Sequence, residues 1–221
     1  MQIVGVQKTS LIDYPGKICA TLFTLGCNMK CPYCHNKQIS FDFVEQPELL
    51  DMAEVFSIIK ERKDFIDAVS ISGGEPTIQK NIIDFCLDIK KRFGLLVKID
   101  TNGSKPQVIK KLIENKALDY VALDIKTSFV RYKESLGVDG ELIYKSYNLI
   151  KDSGLDYELR MTCYPDFINS DVIEEVLPLL DVRDRLFLQK CNNEQTYDKG
   201  QMDLFEDQFK IKGYSATGLR M

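Results

Sequence analysis

The stretch Ile18-Cys19-Ala20-Thr21-Leu22-Phe23-Thr24-Leu25-Gly26-Cys27-Asn28-Met29-Lys30-Cys31-Pro32-Tyr33-Cys34 runs a strand-like apolar segment straight into three cysteines spaced CxxxCxxC. Three soft thiolates are one ligand short of a closed site, because a structural zinc and an electron-transfer [4Fe–4S] cluster each take four. A cluster held by three cysteines keeps one iron open. That vacancy suits a cofactor that binds a small molecule.

Downstream of the cysteines, the apolar pattern alternates between period two and helical spacing. Strand-like runs at 18–24, 67–72, 95–100, 120–125, 157–163 and 185–189 are separated by amphipathic stretches at 48–62, 81–92, 106–115, 141–152 and 171–180. Six β units with intervening helices predict a single α/β domain with a parallel sheet and right-handed crossovers. Residues 1–17 stand as an N-terminal extension or hairpin, and 18–191 as the core. The polar, interrupted segment 192–221 is a tail available for partner docking.

With 221 residues, 44% of them hydrophobic, the chain is long enough to bury one full core. The net charge of −4, without a long basic run, argues against a nucleic-acid binder and toward a protein or small-molecule partner. No signal peptide or membrane span is read from the sequence, so a cytoplasmic protein is expected. Seven cysteines do not suit a disulfide framework. Cys19, Cys86, Cys163 and Cys191 read as small buried hydrophobes.

Polar and glycine motifs recur at the carboxyl ends of the strands, the edge where parallel α/β folds gather their sites. They are Gly73-Gly74-Glu75-Pro76, Asp100-Thr101-Asn102-Gly103, the pair Asp124 and Lys126, and Arg160. Each has a plain structural reading. Gly73-Gly74 can be a tight turn, Asp100 to Gly103 a turn before a helix, and Asp124 with Lys126 an ion pair on one strand face. Their order behind the cysteine loop favours one shared pocket.

That order resembles the radical S-adenosylmethionine (SAM) superfamily. The further run Leu11-Ile12-Asp13-Tyr14-Pro15-Gly16-Lys17 ahead of Gly26-Cys27-Asn28, then Cys34-His35-Asn36, resembles the activating proteins of anaerobic ribonucleoside-triphosphate reductase and related glycyl-radical activases. The resemblance spans roughly residues 1–190. It implies a partial (β/α)6 TIM-like barrel, with Cys27, Cys31 and Cys34 on three irons of a [4Fe–4S] cluster and SAM on the fourth. Reductive cleavage of SAM would give a 5′-deoxyadenosyl radical that leaves a glycyl radical on a partner enzyme. An external donor such as flavodoxin or ferredoxin would supply the electron.

The resemblance also implies roles for the other motifs. Gly73, Gly74, Glu75 and Pro76 would meet the methionine amino group, and Tyr33 would border the adenine with His35 and Asn36 nearby. Asp100, Thr101 and Asn102 would lie near the ribose and methionine carboxylate. Asp100, Thr101 and Asp124 are candidates for a monovalent cation, and Lys126 and Arg160 would balance carboxylate charge. About a dozen residues separate Cys34 from the helix near Glu48, too few for the ferredoxin-like insert of some relatives. Two other readings stand beside this one: a radical SAM enzyme acting on a small molecule, and a non-catalytic zinc module using the three cysteines with His35.

Overall fold

The computed structural model describes residues 1–40, 45 and 47–191, with Met202, Phe205 and Asp207 as single positions beyond them. Seven strands lie in one sheet in sequence order: β1 Ile3–Ser10, β2 Cys19–Thr24, β3 Ala68–Gly73, β4 Leu96–Thr101, β5 Tyr120–Asp124, β6 Asp156–Cys163 and β7 Leu186–Lys190. β1 runs antiparallel to β2, and β2 through β7 are parallel. Strand order never reverses, so the sheet has no switch point of the doubly wound kind. It is the open, curled sheet of a partial barrel, as the sequence led us to expect. β1 escaped the periodicity reading because only Ile3 and Ser10 in it are buried.

Helices α1 Met52–Arg62, α2 Ile82–Phe93, α3 Pro106–Glu114, α4 Tyr132–Leu136, α5 Gly140–Lys151 and α6 Ser170–Val176 fill the crossovers. Their ends follow local chemistry more closely than the apolar stripe. α1 begins at Met52 because the Asp51 carboxylate caps it, accepting from the Ala53 amide at 2.6 Å. α2 stops at Gly94, whose φ of +68° is the left-handed conformation that ends many helices. α6 gives way at Leu177 to a 3-10 turn carrying Pro178, which shortens the helix expected to reach Leu180.

The two faces of the sheet differ in chemistry. Outward-facing Leu22, Ile71, Ile99, Leu123, Met161 and Leu188 join Val55, Ile59, Phe85, Ile89, Ile109, Ile143 and Val172 from the helices in one continuous core. Cys86, Cys163 and Cys191 belong to it, and all four scattered cysteines are fully buried. The inward face is polar over much of its length, with Thr21, Ser70, Lys98 and Glu158 all buried. Its lower end is plugged by Tyr14, which packs with Cys19, Ala68 and Tyr120. The Tyr14 and Tyr120 rings lie 5.3 Å apart, and Asp13 accepts from the Thr21 hydroxyl at 2.7 Å. Asp13-Tyr14 therefore seals the barrel floor, opposite the cysteine end.

Candidate active site

The cysteine loop leaves β2 at Gly26, whose φ is +85°. The Gly26 amide donates to the Ile39 carbonyl at 2.7 Å and closes the loop on itself. Two buried side chains, Met29 and Tyr33, anchor it to the core, and Cys27, Cys31 and Cys34 are partly exposed. The Tyr33 ring sits 5.1 Å from Tyr164 and 5.6 Å from Phe167, in the segment that follows β6. Two amides staple the loop to neighbouring strands. Asn28 donates to the Ser104 hydroxyl at 2.8 Å, and Asn36 to the Gly73 carbonyl at 3.2 Å.

Gly73 and Gly74 make a close crossing of backbones possible. A Cβ on Gly74 would stand 1.8 Å from the Gly26 oxygen, and one on Gly73 2.5 Å from the Thr24 amide nitrogen. Only glycine lets the end of β3 lie against the root of the cysteine loop. There the Gly74 amide donates to the Thr24 carbonyl at 2.9 Å and the Glu75 amide to the Gly26 carbonyl at 2.8 Å.

The Glu75 carboxylate is buried and fully engaged. It accepts from the Thr77 amide at 3.0 Å, the Thr101 hydroxyl at 2.7 Å and the Asn102 amide at 2.7 Å, with the Thr77 hydroxyl as a fourth donor. Burial raises its pKa against the pull of these donors. Glu75 thus ties the end of β3 to the end of β4. The Asn102 side chain then reaches Asn28 at 3.1 Å and comes within 3.9 Å of the Cys27 sulfur.

A row of charges crosses the floor of the cavity on β4 to β6. Arg160 lies 2.8 Å from Asp124 and 3.4 Å from Asp100. Lys98 pairs with Asp100, and Lys126 with Asp124 at 3.3 Å. Burial alone would raise the Asp100 pKa, but Arg160 and Lys98 outweigh it and hold the carboxyl at about 2. Asp124 is likewise lowered, burial opposing and Arg160 and Lys126 prevailing. Lys126 keeps its proton, since Asp124 overcomes the cost of burial.

These groups surround one cavity of about 530 Å³. Its walls include Cys27, Cys31, Cys34, Tyr33, His35 and Asn36 from the cysteine loop. Facing them are Gly73, Gly74, Glu75, Asp100, Thr101 and Asn102, with Asp124, Lys126 and Arg160. Pro76 is buried behind this wall, at the start of a 3-10 turn. The candidate cation ligands are otherwise engaged: Asp100 and Asp124 with the three cations, and Thr101 with Glu75. Sequence reasoning missed Ser72, Thr162 and Gln189 on the wall and Lys98 beneath it. A sequence signal existed for Lys98, two residues before Asp100 on the same strand face, whereas Ser72 joins them only through register, its neighbour on that face, Ser70, pairing with Lys98.

Among the described residues no group of three or more His, Cys, Asp or Glu converges tightly enough to cage a single metal ion. The cavity itself provides the test of fit for a larger group. It has room for a cluster and a nucleoside, three thiols on one wall, and charges of both signs on the other. Burial pushes the Cys27 thiol up to about 11 and raises Cys31, so both would be neutral until a metal takes the proton's place. The Tyr33 hydroxyl is buried in the wall with no hydrogen-bond partner among the described residues. These residues fit a cysteine-held cluster with a polar ligand beside it.

Fold and site together define a partial-barrel α/β protein built around a three-cysteine cavity. The sequence pattern of the radical SAM superfamily matches residues 21–177. A protein of Methanocaldococcus jannaschii assigned as a glycyl-radical enzyme activating enzyme is 39% identical over 205 residues, covering 89% of this chain and 82% of the relative. The pyruvate formate-lyase-activating enzyme of Streptococcus mutans is 27% identical over 176 residues, 76% of this chain and 66% of that one. Among solved structures, anSMEcpe with bound AdoMet superposes with a TM-score of 0.64 at 16% identity, over 88% of this chain and 61% of that one. The chain belongs to the radical SAM superfamily, and within it to the glycyl-radical enzyme activating group. No helix among the described residues is long and apolar enough to cross a membrane.

Proposed function

We propose that this protein binds a [4Fe–4S] cluster on Cys27, Cys31 and Cys34, cleaves SAM reductively, and places a glycyl radical on a partner enzyme, an anaerobic ribonucleotide reductase. The observation that carries this reading is the single cavity shared by all three cysteines and by the charged row of Asp100, Asp124, Lys126 and Arg160. When bound, the cluster supplies the electron and SAM the organic radical that takes a hydrogen atom from glycine. The protein's own residues supply position and field. Lys126 and Arg160, with Lys98 beneath, are paired to Asp124 and Asp100, and Lys126 and Arg160 line the cavity where they would meet the carboxylate of methionine. Asp124 and Asp100 hold Arg160 at the floor, and Tyr33, backed by Tyr164 and Phe167, gives the wall an aromatic side.

The match to reductase activators rests on residues 11–17 and 26–36. The experiment is anaerobic reconstitution with iron and sulfide, followed by reduction with SAM and an anaerobic ribonucleotide reductase. Electron paramagnetic resonance should then show a glycyl doublet on the reductase. Cys31→Ala should abolish SAM cleavage while Cys86→Ala, deep in the helical core, retains it. Stoichiometric zinc without iron or sulfide would overturn the cluster. SAM cleavage coupled to turnover of a small molecule, with no doublet on any glycyl-radical enzyme, would overturn the activase.

A further inference from the structure

Of the three cations in the charged row, Lys98 alone does not line the cavity. Its side chain is 2% exposed, against 13% for Arg160 and 14% for Lys126. Burying an ammonium is costly unless an opposite charge compensates, and an apolar side chain could fill the same place without that cost. The sheet fixes where the ammonium goes. Two residues before Asp100 on β4, Lys98 shares its face and pairs in register with Ser70 on one side and Tyr120 on the other.

Lys98 places its ammonium on Oδ1 of Asp100. Oδ2 of the same carboxylate accepts from the Ser72 hydroxyl at 3.0 Å and has the Arg160 guanidinium at 3.4 Å. Asp124 is committed in the same way, Oδ1 to Arg160 at 2.8 Å and Oδ2 to Lys126 at 3.3 Å. The Thr101 hydroxyl donates to Glu75 at 2.7 Å and accepts from the Gly103 amide at 3.1 Å. Glu158, further down the inward face, holds the Tyr120 hydroxyl at 3.0 Å. Asp100, Thr101 and Asp124 are the residues that the family resemblance offers to a monovalent cation, and as arranged here they do not fit one. An ion between the two carboxylates would have to displace Arg160, which bridges them, and stand beside the like charges of Lys98 and Lys126.

We infer that the Lys98 ammonium, buried behind Asp100, does the work of a monovalent cation in this chain, so that the cavity takes up SAM without sodium or potassium. An ammonium and a potassium ion carry the same charge, are similar in size and are both met by oxygen. Lys98 is a positioning residue: it holds Asp100, Asp100 helps to hold Arg160, and Arg160 faces the cavity. This inference rests on the SAM reading proposed above.

The test measures SAM affinity of the cluster-loaded protein by anaerobic equilibrium dialysis in choline, sodium and potassium chloride at equal ionic strength. Wild type should bind SAM equally in all three. Lys98→Ala, which removes the charge and leaves room for an ion, should bind about tenfold more weakly in choline and recover most of the loss in potassium. Lys98→Met, which removes the charge but fills the space, should be weakened alike in every salt. Thermal unfolding of the same samples gives a second readout: potassium should raise the midpoint of Lys98→Ala and leave wild type unmoved, since an ion that binds only the folded state stabilises it. Lys90→Met breaks another lysine–carboxylate pair, with Asp119 at 2.6 Å and away from the cavity, and should show no dependence on the cation. Wild-type SAM affinity that rises severalfold with sodium or potassium overturns the inference, and this comparison decides even if neither Lys98 variant folds. So does a folded Lys98→Ala that binds SAM like wild type in choline, or one weakened alike in every salt, which would make Lys98 a structural residue only. A wild-type protein that takes up its cluster and binds no SAM in any salt overturns the underlying reading instead.

Discussion

Gly74→Ala should damage this protein far more than one added methyl usually does. The new Cβ would stand 1.8 Å from the Gly26 oxygen, whereas real Cβ contacts essentially never fall under 3.0 Å. Both clashing partners are backbone, so no side chain can rotate away. The end of β3 and the root of the cysteine loop must part by more than about 1 Å. Two hydrogen bonds span that crossing, Gly74 to Thr24 at 2.9 Å and Glu75 to Gly26 at 2.8 Å. Losing both leaves buried groups unsatisfied at about 1–3 kcal/mol each, so the cost is about 2–6 kcal/mol. That is a large part of a typical total stability of about 5–15 kcal/mol.

Urea unfolding of the cluster-free protein measures this cost without interference from iron. Gly94→Ala is the control. Gly94 has a φ of +68° but nothing within 4 Å of its added Cβ, so its cost is conformational strain alone, about 1–2 kcal/mol. Gly74→Ala should lose more and take up less iron on reconstitution, because Gly26 directly precedes Cys27. Equal losses in the two variants would refute the backbone-crossing argument.

Acid should unfold the protein partly through Asp100. Its folded pKa of about 2 lies below the ordinary 3.8, so its ion pairs stabilise the fold fully above about pH 4 and are lost as pH falls toward 2. The contribution is on the order of 2 kcal/mol. Thermal unfolding from pH 5 down to about 2 should show a shallower loss in Asp100→Asn than in wild type, and parallel curves would contradict the pairing. Two tyrosines should respond in opposite ways to loss of the hydroxyl. Tyr33→Phe removes a buried hydroxyl with no partner among the described residues, so cluster-free stability should hold or rise by about 1 kcal/mol. Tyr147→Phe removes a donor 2.7 Å from Asp184 and an acceptor for the Asp181 amide at 2.8 Å, and should cost about 1–3 kcal/mol in the same assay.

Much of the barrel was legible because its signals are local. Strand parity over Ala68–Gly73 or Tyr120–Asp124 and helical spacing over Ile82–Phe93 each fit within a short window. The alternation gives a parallel sheet, and the barrel order came from the family resemblance, since a doubly wound sheet alternates in the same way. β1 was illegible because an edge strand with two buried residues leaves little apolar pattern, and α4, five residues long, has too few turns to show a period. The tail expected at 192–221 lies outside the described residues apart from three positions.

The site was legible in its membership and much less so in its division of labour. Spacing could place Asp124 and Lys126 on one strand face, but Arg160 joins them only because β5 and β6 pair with Asp124 opposite Arg160. Register is a long-range property that no local window contains. Glu75 makes the same point more sharply. By itself Gly73-Gly74 reads as a tight turn, and the family resemblance implies that Gly73-Gly74-Glu75-Pro76 touches a ligand. In the structure the glycines are needed where backbones cross beside Gly26, and the carboxylate is needed by four donors on Thr77, Thr101 and Asn102. A ligand meeting this wall would therefore find backbone edges already locked in place. Their precision would come from a buried carboxylate whose Oε1 already accepts three donors and whose Oε2 accepts the Asn102 amide.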